Sequence, residues 1–231
     1  MSQTLPTSRP SISLSAEIRA YAEDSYPGNH TFKITEDGLK PKCKLAVRYR
    51  KLRKYYPEAM QSFLDLSCSK GFFVFTASQT YHSKRSLGVD IFEYEIDFCH
   101  QLKAYYHDNT VNFRCLQLHE LAEQIDQLGG PFETALLVNT YQYLYFGSDR
   151  SPACYRDHDK IFSYLRRVCS GRLIFNNRVE FETCQRYVQA SSPEEASNYT
   201  DEKIRAAASK YFTVKDMGTL GRYPLWVLEA K

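Results

Sequence analysis

The sequence predicts an α/β protein. It should hold a seven-stranded, mostly parallel sheet with an antiparallel last strand, helices on both faces, and a helical N-terminal extension. Three observations predict this. From residue 62 onward, short apolar runs alternate with longer helix-patterned stretches, which implies βαβ units and a parallel sheet. The last two runs are separated only by a short turn containing Gly221, so they must form an antiparallel hairpin, because a parallel pair needs a long crossover. With 231 residues, 43% apolar and 25% charged, the chain has the size and composition of one open α/β sheet with an extension.

In chain order, residues 1–13 are polar and rich in Pro, Ser and Thr and read as a flexible tail. Residues 14–58 read as a helical extension or lid, and residues 59–231 as the sheet domain. A short helix is expected over about Leu14 to Glu23, with Ser13 or Ser15 as its N-cap and Glu17 in its first turn, where an acid favours the helix dipole. Pro27-Gly28-Asn29 then breaks the chain. The segment 40–54, KPKCKLAVRYRKLRK, holds eight Lys/Arg and no acid, and Leu45, Val47 and Leu52 give it a partial apolar face. It predicts a basic amphipathic helix. Such a run ordinarily ends as a solvated helix face; its functional reading is a patch for an anionic ligand, a nucleic acid or a carboxylate. The strands follow as SFLDLS, SLGVDIF, VNFRCLQ, FETALLVN and GRLIFN, and the closing hairpin as YFTVKDMG and YPLWVLEA.

Composition removes several classes. A net charge of only +3 is not that of a polycation. The seven cysteines form no CxxC pair and no metal-ligand spacing, so no metal site is expected, and scattered thiols fit a cytoplasmic protein better than a secreted one. The N-terminus MSQTLPTSRPS lacks an apolar core for a signal peptide, and no run approaches the roughly 18 apolar residues needed to span a membrane. Tyrosine is abundant, 18 residues beside 14 Phe and one Trp; most are expected in the core and on the surface, although tyrosine also suits a site that grips an organic ligand.

The chemistry concentrates in two places. In Leu64-Asp65-Leu66-Ser67-Cys68-Ser69-Lys70-Gly71-Phe72-Phe73 an apolar strand ends near an Asp, passes through small residues to a Gly, and enters an apolar helix. Open α/β sheets bind ligands outside the carboxyl ends of their strands, and small residues let the backbone approach the ligand. In Gly88-Val89-Asp90-Ile91 an acid ends the second strand, placed to accept hydrogen bonds from ribose hydroxyls. Each alone is a weak signal, since an Asp at a strand end is often a helix cap or turn residue. In this order and at this spacing they indicate an adenosine-type ligand.

The stretch LDLSCSKGFF resembles motif I, D-x-G-x-G-x-G, of the class I S-adenosylmethionine-dependent methyltransferases, and GVDI resembles their second motif. FRCLQLHEL resembles the third strand and the loop walling the adenine, FETALLVNTYQYL the fourth strand and the loop facing the methyl group, and the closing hairpin their reversed last strand. The resemblance spans about residues 60–231. It implies S-adenosylmethionine as cofactor, with Asp65 and the backbone of Ser67, Cys68, Ser69 and Gly71 at its methionine part. It implies Asp90 at the ribose, Ile91 against the adenine, Gln117 and Leu118 around the adenine amine, and Asn139 and Thr140 along the methionine side. Ser67 and Ser69 depart from the pattern by replacing its first two glycines; if Ser67 requires a positive φ, serine costs about 1 kcal/mol or more there.

On the acceptor side neither the Asn-Pro-Pro-Tyr motif of adenine amino-methylation nor the Lys-Asp-Lys-Glu set of a ribose 2′-O class is present. Candidate catalytic groups are Tyr141, Tyr143 and His158, and candidate substrate-binding groups are Tyr145 and, from the extension, Tyr21, Tyr26 and His30. For each the ordinary alternative is core packing or a surface helix start. The expected function is methyl transfer to a small organic molecule. The alternatives are an RNA-modifying methyl or carboxymethyl transferase that uses segment 40–54, where Lys44, Arg48 or Lys51 would meet an extra carboxylate, and an S-adenosylmethionine-binding protein without catalysis.

Overall fold

The structure is a computed structural model that describes residues 13–25, 28, 30–148, 154–185 and 193–231. The extension opens with helix α1 (Ala16–Asp24), capped by the Ser15 hydroxyl, which accepts from the Ile18 N–H at 3.2 Å. A small hairpin follows, β1 (Phe32–Thr35) and β2 (Gly38–Pro41), then α2 (Cys43–Leu52) and a 3₁₀ turn over Arg53–Tyr55. The basic segment is therefore not one helix. Lys40 and Pro41 belong to β2, where Lys40 pairs with Lys33 and Pro41 with Phe32, and helical backbone begins only at Cys43.

Then come β3 (Ser62–Leu66), α3 (Phe72–Gln79), β4 (Arg85–Asp90), α4 (Glu93–Tyr106), β5 (Val111–Cys115), α5 (Leu118–Gln124), β6 (Phe132–Val138) and α6 (Tyr141–Phe146). The chain continues through α7 (His158–Val168), β7 (Cys169–Asn176), α8 (Pro193–Asn198), α9 (Asp201–Tyr211), β8 (Phe212–Leu220) and β9 (Tyr223–Ala230). The seven expected strands are all present. They line up β5-β4-β3-β6-β7-β9-β8, with β3 to β7 mutually parallel and β9 antiparallel to both neighbours. The order reverses between β3 and β6, which creates a crevice at the carboxyl ends of those strands, where open α/β sheets hold ligands.

Strand alternation divides the core into two layers. Leu64, Leu66, Leu87, Val89, Leu137 and Phe175 face the layer built with α5, α7 and α9. Phe63, Leu136 and Ile174 face the other, which holds α3 and α4. The extension shares this second layer: Ala22, Phe32, Leu45 and Leu52 are each at most 1% exposed and pack in one cluster with Phe63, Phe72 and Phe98. Burying the Phe and Leu side chains contributes roughly 1.5–3 kcal/mol each, so the extension is an integral part of that layer. Gly88 on β4 is required by close approach, because a Cβ there would lie 2.7 Å from the Phe113 ring and 2.8 Å from the Cys68 sulfur.

Candidate functional site

The loop between β3 and α3 sits at the β3/β6 crevice. Its backbone takes positive φ at alternate residues, 75° at Ser67, 46° at Ser69 and 76° at Gly71. Ser67 thus occupies the left-handed conformation that its place in the motif foreshadowed, at a cost of about 1 kcal/mol. Its hydroxyl does work a glycine could not, since it meets the Thr140 hydroxyl across the crevice and ties the loop to the segment after β6. Thr140 Oγ1 in turn donates to the Val138 carbonyl at 3.0 Å. Gly71 packs too tightly for a side chain, with a Cβ there falling 2.9 Å from the Cys99 sulfur. Cys68 is 4% exposed and points into the core.

Asp90 closes β4 and organises the loop. One carboxylate oxygen accepts from the Ser69 N–H at 2.9 Å, the other from Ile91 N–H at 2.8 Å and Phe92 N–H at 3.2 Å. Burial raises its pKa, and these three donors oppose the rise. Three of about four acceptor sites are used, which leaves one for a hydroxyl. Ile91, the next residue, is a large apolar side chain 39% exposed at this edge, while Leu118 is buried. Gln117 is the N-cap of α5, its N–H bonded to Glu120 Oε2 at 2.7 Å.

Asp65 lies on β3 below the loop, 4% exposed. Burial, assisted by the charge of Asp90, pushes its carboxyl up to about 8, against the pull of Arg48. Arg48 comes from the inner face of α2 and donates to His30 Nε2 at 3.2 Å. Arginine only donates, so that nitrogen is unprotonated, in accord with a His30 pKa that burial and then the charges of Arg48 and Lys70 lower to about 3. Asp65, Arg48 and His30 line one cavity of about 20 Å³ together with Leu45, Ser67 and Lys70, room for about one water molecule.

Lys70, which sequence reasoning passed over, is 1% exposed. Its Nζ donates to the Ser25 carbonyl at 3.1 Å and stands 4.7 Å from the centre of the Tyr21 ring. Burial lowers its pKa, and Glu95 and Asp24 resist the fall. Tyr21 also packs edge-on against Tyr94 and Phe98, both at 5.0 Å, so it anchors α1 to α4. Tyr26 lies outside the described residues.

After β6, Asn139 takes φ 58° and its N–H donates to the Asn176 carbonyl at 2.8 Å. Asn177 Oδ1 receives the Thr140 N–H at 2.6 Å and the Tyr141 N–H at 2.9 Å. The segments after β6 and β7 are thereby pinned together, and Arg178 Nη1 donates to Asn139 Oδ1. Asn177 and Arg178 were not anticipated; the available signal was a polar run, Asn176-Asn177-Arg178, directly after an apolar strand.

The structure brings Tyr141, Tyr145 and His158 together away from that cavity. Tyr141 is fully buried and its hydroxyl meets His158 Nδ1 at 2.7 Å. His158 Nε2 lies 2.9 Å from the Asn198 carbonyl, so that nitrogen carries the proton and Nδ1 accepts from Tyr141. Tyr145, 3% exposed, stacks on the imidazole at 4.3 Å. Burial lowers the His158 pKa and keeps the ring neutral. Tyr143 is half-buried.

Among the described residues no group of His, Cys, Asp and Glu could hold a metal, and no helix is long and apolar enough to cross a membrane. No protein-family model and no curated protein matches the chain. Solved structures do match. The PH0226 protein from Pyrococcus horikoshii OT3 superposes with a TM-score of 0.59 at 20% identity, covering 82% of this chain and 92% of that one. An O-methyltransferase family protein from Burkholderia thailandensis matches at 0.57 and 13% identity, over 81% of this chain and 57% of that one. The bifunctional kinase-methyltransferase WbdD matches at 0.52 and 16% identity, over 80% of this chain and 38% of that one. The chain therefore spans somewhat over half of the second protein and about two fifths of the third. At these identities the likeness is one of architecture: the chain has a Rossmann-like α/β fold, which it shares with proteins that include methyltransferases.

Proposed function

We propose that this protein is an S-adenosylmethionine-dependent methyltransferase acting on a small organic molecule. One observation carries the reading. A buried acid, Asp65, and a buried-face cation, Arg48, line a single small cavity beside the β3/β6 crevice. An amino-acid end group carries the matching pair, an ammonium for Asp65 and a carboxylate for Arg48. The remaining residues suit the rest of the same ligand: Asp90 keeps one acceptor site for a ribose hydroxyl, Ile91 offers apolar surface to an adenine with Leu118 and Gln117 behind it, and Asn139 and Thr140 border the methionine side.

When bound, S-adenosylmethionine supplies an electrophilic methyl group on a sulfonium. The chain's part is to orient it, exclude water and align an acceptor. Ser67 and Thr140 hold the two sides of the crevice at a set width. The cavity of about 20 Å³ is smaller than an amino-acid end group, so Leu45, Arg48 and His30 shift outward on binding. That local movement, and not the whole extension, serves as the lid. Of the tyrosines after β6, we assign Tyr143 to the acceptor pocket; Tyr141 and His158 support that loop from the core.

Arg48→Gln tests the reading. It should weaken S-adenosylhomocysteine binding about tenfold or more, the loss of a charge-assisted pair, and leave 5′-methylthioadenosine, which lacks the amino-acid end, unaffected. Equal loss for both ligands, or no S-adenosylhomocysteine binding by the unaltered protein, refutes it.

An RNA acceptor is a second reading. Lys44, Arg50, Lys51, Arg53 and Lys54 are exposed around the outer face of α2 and the turn after it, with no carboxylate partner among the described residues. A steep fall of RNA affinity with salt would support it, since each phosphate contact adds to the slope.

A further inference from the structure

We propose that Arg178, flanked by Asn139 and Tyr223, forms an oxyanion subsite that receives a carboxylate or phosphate group carried by the methyl acceptor. This rests on the methyltransferase reading and names the acceptor's chemical class.

The first ground is position. Asn139 directly follows β6, Arg178 lies just beyond the end of β7, and Tyr223 begins β9, whose Leu225 pairs with Asn176. All three stand at the carboxyl edge of the parallel strands. They lie next to the crevice, on the side of Thr140 opposite the Asp65 loop.

The second is rigidity. The Tyr199 hydroxyl donates to the Arg178 carbonyl at 2.8 Å, and Asn177 is locked by bonds to the Leu137 carbonyl at 2.8 Å and to the Thr140 and Tyr141 N–H groups. The guanidinium carbon lies 4.6 Å from the centre of the Tyr223 ring, a cation–π contact that restrains the group. A fork held in this way is prepared for a planar, bidentate partner.

The third is unspent hydrogen-bonding capacity. The guanidinium gives one N–H to the neutral amide of Asn139, and its Nε is buried with no hydrogen-bond partner. No carboxylate pairs with it among the described residues. A guanidinium has five donors, and leaving a buried one unmade is costly. Arg85 shows the contrast within this molecule, since its terminal nitrogens reach three backbone carbonyls at 2.8–3.0 Å. Because Asn139 is an amide and not an acid, the positive charge of Arg178 remains available to an oxyanion.

The test uses the full chain saturated with S-adenosylhomocysteine, titrated with benzoate, phenyl phosphate and the neutral benzamide at constant ionic strength. Binding is followed by calorimetry and by the shift in melting temperature. Benzoate or phenyl phosphate should bind and stabilise where benzamide does not, and the stronger of the two identifies the preferred oxyanion. Arg178→Gln should weaken that binding at least tenfold with an unchanged S-adenosylhomocysteine affinity, which also reports that the variant is folded; Arg178→Lys should retain part of it. The subsite is refuted if neither anion binds the unaltered protein, if benzamide binds equally well, or if Arg178→Gln binds the anion undiminished. Failure of the unaltered protein to bind S-adenosylhomocysteine would instead refute the cofactor reading, and the same anion titration on the ligand-free protein would still decide the role of Arg178.

Discussion

Asp65→Asn should make the ligand-free protein more stable while abolishing the proposed S-adenosylmethionine binding. The native carboxyl titrates at about 8, against an ordinary 3.8. The native state therefore keeps a proton that the unfolded chain releases, and it binds more protons than the unfolded state between about pH 4 and pH 8. Stability consequently falls as pH rises through that window and levels off above it. At pH 7 the unfolded chain gains over about three units, or roughly 4 kcal/mol, from this one group; at pH 5 the figure is only about 1–2 kcal/mol. An asparagine has no proton to lose, so the variant should exceed the unaltered protein by up to about 4 kcal/mol at pH 7, by about 1–2 kcal/mol at pH 5, and by most at pH 8. The gain is an upper limit, because the amide still has to be desolvated. Urea unfolding at pH 5, 7 and 8 measures it, and calorimetry with S-adenosylhomocysteine should show binding lost in the variant. A stability difference independent of pH, or a variant less stable at pH 7, would refute the account of Asp65 as a desolvated acid awaiting a cation.

Asp90→Ala should weaken S-adenosylhomocysteine binding by about 1.5–3 kcal/mol and also lower stability, because three N–H groups lose their acceptor; unchanged affinity in the folded variant would remove Asp90 from the site. Ser67→Gly removes the strain of φ 75° and also the hydroxyl contact to Thr140. The two effects offset, and melting temperature and S-adenosylhomocysteine affinity should both stay near the original; a large loss of affinity would show that the hydroxyl touches the ligand. Tyr141→Phe leaves the half-buried His158 Nδ1 without its donor and should cost about 1–3 kcal/mol in urea unfolding with S-adenosylhomocysteine affinity preserved; an unaltered stability would contradict the supporting role assigned to this pair.

The sheet was legible because its signals are local. An apolar run of strand length followed by a helix-patterned stretch states the element whatever surrounds it, and the short Gly221 turn alone makes the closing pair antiparallel. The β3–α3 loop and the acid closing β4 were legible for a similar reason: a strand end, small residues and an acid are contiguous in the chain. The β1–β2 hairpin left a weaker trace. Its Asp37-Gly38 step is a hairpin signal, but the adjoining Lys/Arg run makes residues 40–54 read as one helix.

What tertiary structure alone decided are relations between segments distant in the chain. From sequence, Arg48 is one cation among eight in a basic run; the phase of α2 against the sheet turns it inward to His30 and the Asp65 cavity, while Lys44 and Lys51 stay in solvent. His158 and Tyr141 read as candidates for catalysis; packing α6 against α7 and the Asn198 carbonyl makes them each other's hydrogen-bond partners in the core. Arg178 carried no signal of its own, and the role proposed for it rests on its lying over Tyr223, beside Asn139, with no acid paired to it among the described residues. Hydrophobic period and turn chemistry are properties of a few consecutive residues and survive in a bare sequence. Burial, and with it the pKa of Asp65 and the partner of each charge, is set by which faces meet, and that exists only once the chain has packed.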